Sequence, residues 1–220
     1  MSKVKDFYDQ YPVRRFQKGE IILVQGEVPK SAYVLKKGVV KSYNLTAQGE
    51  EKPISFDVVG EMFPIAWVFT KAKFAQYYYE AFSDCEVYCL LPDEYVNFLK
   101  KDPAVLFETF DGFVSNHINH QMRINALEQS KAAAKVLYTI HFLCLRFGLE
   151  IKEHTVRIEL PLTQQDLANF MGLTRETTGI ELKRLQRQGV LSYRKQNYVV
   201  KTNELEELLD EDYDQGHTDR

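Results

Sequence analysis

Apolar and polar positions change rhythm along the 220 residues of this chain. Up to about residue 100 the apolar residues come in short β-branched or aromatic runs broken by turns. Ile21-Ile22-Leu23-Val24 lies between Lys18-Gly19-Glu20 and Gln25-Gly26-Glu27. Tyr33-Val34-Leu35 closes on Lys36-Lys37-Gly38, and Val39-Val40-Lys41-Ser42-Tyr43 follows directly. Further turns fall at Gln48-Gly49-Glu50 and Val58-Val59-Gly60-Glu61, and further runs at Tyr77-Tyr78-Tyr79 and Val87-Tyr88-Cys89-Leu90-Leu91. Such runs, punctuated by glycine, predict an antiparallel sandwich or barrel.

After Asp102-Pro103 the spacing becomes helical. Leu106, Phe110, Phe113, His117, His120, Ile124 and Leu127 step by three or four and share one stripe. Phe107, Val114, Ile118 and Met122 form a second stripe beside it. One stripe suffices to pack a helix on its own domain, so two stripes predict a dimerisation helix, with either stripe free to face the partner. Lys131 to Phe147 reads as another helix, ending at Gly148. Short helices follow over Thr163–Met171 and from Thr174 to about Arg187. Two strands, Val190-Leu191-Ser192-Tyr193 and Asn197-Tyr198-Val199-Val200, are then joined by Arg194-Lys195-Gln196.

Composition narrows the class. At 45% hydrophobic and 27% charged the chain can bury a core, which excludes disordered, collagen-like and disulfide-scaffold readings. Cys85, Cys89 and Cys144 are too few for a stapled secreted fold. The start of the chain lacks an apolar signal segment, and Phe63–Phe69 is too short to cross a bilayer, so a cytoplasmic protein with no membrane contact is expected. The net charge of −3 conceals a strong asymmetry. Residues 131–203 hold twelve basic against six acidic side chains, whereas residues 204–220 hold eight acidic and one basic. A +6 segment is the electrostatic footprint of phosphate-backbone binding.

The basic segment also contains the clearest motif. Thr163 is an N-cap with Asp166 in its first turn, Ala168 is small enough for close helix approach, and Gly172 sits where a turn needs positive φ. Thr174 caps a second helix, and Leu167, Leu173, Leu182 and Leu185 supply an apolar seam, as in a helix-turn-helix. Its second helix enters the major groove with its N-terminal residues facing base edges. Arg175 can bond guanine O6 and N7, and Glu176 can accept from cytosine N4. Gly179 allows close packing or close backbone approach, while Lys183 and Arg184 suit phosphate. Arg194 and Lys195, at the tip of the two strands, have the form of a wing on the backbone. Thr163, Gln164 and Thr178 complete the candidate DNA-contacting set.

At these residues the chain resembles the Crp–Fnr superfamily of bacterial transcription regulators. Phe16-x-Lys18-Gly19-Glu20-Ile21-Ile22-x-x-Gln25-Gly26-Glu27 and Tyr33 to Lys41 match the start of its cyclic-nucleotide-binding-like β-roll. The long helix matches its dimerisation helix, and Leu162 to Leu191, with Thr174-Arg175-Glu176-Thr177, matches its winged helix-turn-helix. The resemblance implies an α+β protein: a jelly-roll-like antiparallel β-roll over 1–103, a dimerisation helix over 104–130 and a winged helix-turn-helix over 131–205. An acidic tail over 206–220 is expected to fray beyond Leu209. It further implies a homodimer on a pseudo-palindromic double-stranded operator, contact with RNA polymerase, and an effector sensed in the β-roll.

Two departures matter. A third base-reading residue, often Arg in the family, falls at Ile180, which either packs on a thymine methyl or lies inside the domain. The family's cyclic-nucleotide site uses Gly-Glu toward ribose and Arg-Ser toward phosphate. Gly60-Glu61 is present, but Ala75-Gln76 stands in place of Arg-Ser, and no Arg or Lys occurs between Lys73 and Lys100. A buried phosphate needs a cation or oriented N–H groups, so the effector is expected to be something other than cyclic AMP, or absent. Gly60, Glu61, Trp67, Ala75 and Gln76 form the candidate pocket, with Phe69 and Tyr77-Tyr78-Tyr79 either lining it or in the core.

No cofactor or metal is expected. Iron–sulfur members of the family use cysteines near the N-terminus, whereas Cys85 and Cys89 share one strand face and suit core packing. His117 and His120 either form a switch at the dimer seam or are half-buried and satisfied by neighbours such as Asn116 or Gln121. An enzyme is not expected, because no histidine precedes His117 and no nucleophile–base pattern appears. The alternative is a cupin-like small-molecule-binding β-roll protein or enzyme whose helix-turn-helix makes protein contacts only.

Overall fold

The structure is a computed structural model that describes residues 3–218, with side chains through Asp212. A short helix α1 (Lys3–Tyr8) precedes strands β1 (Val13–Phe16), β2 (Ile21–Leu23), β3 (Ala32–Lys37), β4 (Val40–Leu45), β5 (Glu51–Asp57) and β6 (Met62–Phe63). Next come α2 (Ile65–Val68), β7 (Tyr78–Ala81), β8 (Cys85–Leu90), α3 (Pro92–Lys101) and α4 (Pro103–Glu128). The remainder is α5 (Ala132–Phe147), β9 (Gly148–Lys152), β10 (Thr155–Ile158), α6 (Gln164–Met171), α7 (Arg175–Arg187), β11 (Leu191–Arg194), β12 (Asn197–Lys201) and α8 (Thr202–Thr218). The fold is the α+β arrangement expected of a β-roll, a long helix and a winged helix-turn-helix. Two compact units, Met1–Phe113 and Val114–Arg220, divide within α4 rather than at either end of it.

The first unit holds two four-stranded antiparallel sheets, ordered β1-β8-β3-β6 and β2-β7-β4-β5. The continuous apolar run of β3 is explained by burial on both faces. Tyr33 and Leu35 meet Phe16, Leu23, Val40, Phe63, Tyr79 and Val87 in one core, whereas Ala32 and Val34 meet Tyr8, Tyr88, Leu90, Tyr95 and Leu99 in a second. Cys85 is buried in the first core with Cys89 packed against it, and burial pushes both thiols up. These cysteines therefore pack. The second core is covered by α1 and α3, which the strand-and-turn reading passed over. Pro92 at the first helical position, Asp93 and Glu94 in the first turn and Lys100 and Lys101 in the last are local helix signals within that segment.

In the second unit the two predicted strands belong to a four-stranded sheet, β11-β12-β10-β9, whose other strands had not been read. β10 pairs in register with β12, from Thr155 opposite Lys201 to Ile158 opposite Tyr198. The expectation that the tail frays beyond Leu209 is corrected: α8 runs to Thr218, and Leu205 in its first turns is buried. α8 packs on α5, with Glu206 acting on His141 and Asp212 on Tyr138. Burial lowers the His141 pKa from its ordinary value, with Glu206 opposing the shift. Among the described residues no helix is long and apolar enough to cross a membrane.

Candidate nucleic-acid interface

The helix-turn-helix is built from local contacts. Thr163 accepts from the Asp166 backbone N–H at 3.1 Å, and the Asp166 carboxylate accepts from the Thr163 N–H at 2.8 Å, closing a full capping box on α6. Asp166 thus has a larger part than a favourable first-turn charge. Gly172 closes α6 at φ 67°, a left-handed conformation that a side chain there would strain. Thr174 then caps α7 by accepting from the Thr177 N–H at 3.1 Å. Leu167, Ala168, Phe170 and Met171 of α6 and Leu182 and Leu185 of α7 are all buried where the two helices pack, while Leu173 is only half-buried.

These contacts fix which side of α7 faces outward. Arg175, Glu176, Lys183 and Arg184 are exposed, and Arg175 and Lys183 make no ion pair among the described residues. Arg184 is paired at 2.9 Å with Glu181, whose side chain is largely buried while the arginine stays half exposed. Ile180 is 66% exposed, so its placement inside the domain is excluded. Thr178 is the reverse. It is 0% exposed beside Leu182 and Leu185, so the expectation that it touches DNA is corrected: its side chain points into the domain. Gly179 lies near α6, but a Cβ there would meet only Gln164 Oε1 at 3.5 Å, an ordinary contact, so packing does not require glycine.

The wing is attached to this frame. Gln164 donates to the Tyr193 hydroxyl at 3.3 Å, which ties the start of α6 to β11. Tyr193 stands opposite Tyr198 across the β11–β12 pair, and the rings stack at 5.7 Å. Arg194 and Lys195 are exposed at the tip, with Lys195 at φ 56°. Thr163 and Gln164, expected as DNA contacts, thus spend polar groups on the cap and the wing. One positioning residue was missed. Arg123, the only basic residue of α4, lies 4.0 Å over the Phe170 ring and donates to the Phe170 carbonyl at 3.3 Å. Burial lowers its pKa to about 10. A single arginine in a helix otherwise without basic residues was the available signal.

The cyclic nucleotide-binding domain family matches residues 13–102, and the Crp-like helix-turn-helix domain family matches residues 135–210. Electron transport regulator A of Shewanella oneidensis is 30% identical over 188 residues, covering 84% of this chain and 72% of that protein. The chain belongs to the Crp–Fnr family of transcription regulators. The fumarate and nitrate reduction regulatory protein of Escherichia coli K12 is 27% identical to this Crp–Fnr regulator over 194 residues, 86% of this chain and 74% of that one. Among solved structures, FixK2 from Bradyrhizobium japonicum gives a TM-score of 0.75 at 20% identity, covering 90% of this chain and 96% of that one. A CooA variant from Carboxydothermus hydrogenoformans gives 0.75 at 17% identity over 94% and 92%. These structures share its fold.

In this Crp–Fnr regulator the candidate pocket residues Trp67 and Ala75 fall in different cores. Gly60 is at φ 92° in a turn that Glu61 closes, its carboxylate accepting from the Val58 N–H at 2.8 Å. Trp67 packs on the core beneath α1 and α3, Ala75 is buried in the core between the sheets, and Gln76 is exposed. Of the neighbouring aromatics, Tyr79 packs in one core, Phe69 and Tyr77 each lie against a core, and Tyr78 stacks on Tyr43 at 5.3 Å. A polar cluster was missed instead. Ser42 and Ser55 hydroxyls are 2.8 Å apart, Ser55 donates to Asp57 at 3.4 Å, and Asp57 faces Tyr79, whose pKa burial and this carboxylate raise. The buried Lys41 is held at 2.5 Å by Glu51 and at 3.4 Å by Glu80.

The long helix leaves both of its apolar stripes open. Phe110 and Ile124 of the first stripe are exposed, and Phe107 and Ile118 of the second are 72% and 50% exposed. Val105 and Ala126 are the buried positions of α4. Phe113 of the first stripe packs edge-on against Phe69 at 6.0 Å. His117 and His120 are exposed on the same helix rather than half-buried.

Proposed function

We propose that this Crp–Fnr regulator acts as a homodimer on a pseudo-palindromic double-stranded DNA operator, with α7 of each copy in one half-site. On that reading Arg175 bonds a guanine, Glu176 accepts from a cytosine, and Lys183, Arg184, Arg194 and Lys195 contact phosphate. The observation that carries the reading is the two-sided α7: Thr178, Leu182 and Leu185 inward, Arg175, Glu176 and Lys183 outward, on a +6 segment. Thr174, as the cap, orients the first turn toward the groove.

The open stripes of α4 support dimerisation, since each large apolar side chain removed from water contributes about 1.5–3 kcal/mol. The β-roll senses an effector other than cyclic AMP, or none. A carboxylate at Asp57 repels phosphate, Ala75-Gln76 offers no cation, and Lys41 is already neutralised by two glutamates. The regulator contacts RNA polymerase from the operator, works in the cytoplasm and catalyses no reaction, readings that rest on its family membership.

Selection of bound sequences from random duplexes tests the proposal. The expected outcome is a palindromic consensus whose half-site centres lie about 10 base pairs apart or a multiple of that. Arg175→Ala should lose about 1–3 kcal/mol and relax one position per half-site. Enrichment of no sequence by the unmutated protein would overturn it.

A further inference from the structure

We propose that Ile180 reads a thymine in each half-site by packing on its C5-methyl group. The inference rests on the DNA-reading role of α7 given above. Helix α7 carries three branched apolar side chains, and Leu182 and Leu185 are buried while Ile180 is 66% exposed. Thr178 and Leu182 mark the inward face, and Ile180 lies about 160° round the helix from each, at the centre of the outward one. Glu176 stands one turn before it on that face, and Lys183 and Arg184 stand one turn after. Ile180 therefore occupies the reading face between a base-reading carboxylate and two phosphate-facing cations.

Chemistry then selects the base. An isoleucine has no donor or acceptor, and thymine alone offers an apolar group at the major-groove edge. Opposite guanine or adenine the same side chain would strip water from N7 and leave it unpaired, which disfavours purines at that position. Four residues of helix span about 6 Å, so this thymine lies within about two base steps of the base read by Glu176.

The test replaces thymine with deoxyuridine, which lacks only the methyl group. Full-length protein is titrated against the selected operator, with each symmetry-related thymine pair substituted in turn. Losing one methyl contact should weaken binding about fourfold per half-site, which is about 0.8 kcal/mol at 1.4 kcal/mol per tenfold. Substitution in both half-sites should reach about fifteenfold. Ile180→Ala, at an exposed position that leaves the fold intact, should bind the thymine and deoxyuridine operators alike at that pair and keep the preference at the others. Insensitivity at every thymine, or a sensitivity that survives Ile180→Ala, refutes the inference while leaving the DNA-binding proposal standing. A selection that enriches no consensus removes both.

Discussion

Thr178→Val separates structure from contact in the recognition helix. The Thr178 hydroxyl is fully buried and has no hydrogen-bond partner among the described residues, although its backbone N–H donates to the Thr174 carbonyl at 3.0 Å. A buried unsatisfied polar group costs about 1–3 kcal/mol. Valine keeps the shape, removes the hydroxyl and has nearly the same helix propensity. The substitution should therefore stabilise the second unit by about 1 kcal/mol, the lower end of that range, because part of the cost is relieved by small relaxation. Hydrogen exchange of the most protected α7 amides reads that unit alone, and should slow about fivefold. Operator affinity should not change, since the side chain points away from the groove. Faster exchange would mean the hydroxyl is satisfied in solution, and a tenfold affinity loss would return Thr178 to the DNA-contacting set.

Gly179→Ala should stabilise the same unit by about 1 kcal/mol in denaturant titrations, and an accompanying loss of operator affinity would identify a backbone approach to DNA as the reason for glycine. Lys195→Gly relieves a left-handed backbone at the wing tip, so the unit should gain about 0.5–1 kcal/mol while DNA affinity falls for all sequences and the salt slope drops by about one. Phe110→Glu places a charge in the exposed α4 stripe and should raise the dimer dissociation constant at least about a hundredfold by sedimentation. His141 has a folded pKa below its ordinary 6.5, so the folded state binds its proton less readily than the unfolded chain does. The stability it contributes is present above pH 6.5 and is lost as pH falls through the folded value; His141→Gln should flatten that part of the profile.

Much of the site was legible because its signals are local. The capping box of Thr163 and Asp166, the left-handed Gly172 and the Thr174 cap all involve residues within four positions of one another. Their chemistry specifies the turn wherever the segment sits. The continuous apolar run of β3 and the helical spacing of α4 were equally local. The inward face of α7 was not, because Thr178 and Ile180 are both compatible with either side of a mixed helix. Helices α5 and α6 and strand β11, all packed against α7, put one in and the other out.

The same division holds in the β-roll. Missing cations between Lys73 and Lys100 were visible by inspection, whereas the separation of Trp67 and Ala75 into different cores depends on pairings across dozens of residues. By itself, then, the sequence determined the elements whose signals are local, such as β3, α6 and α7, and which chemistry each can offer, since hydrogen bonds within a turn need no distant partner. The tertiary structure decided which side chains face outward. Burial depends on surfaces brought together from remote segments, and a residue's exposure is a property of its neighbours in space.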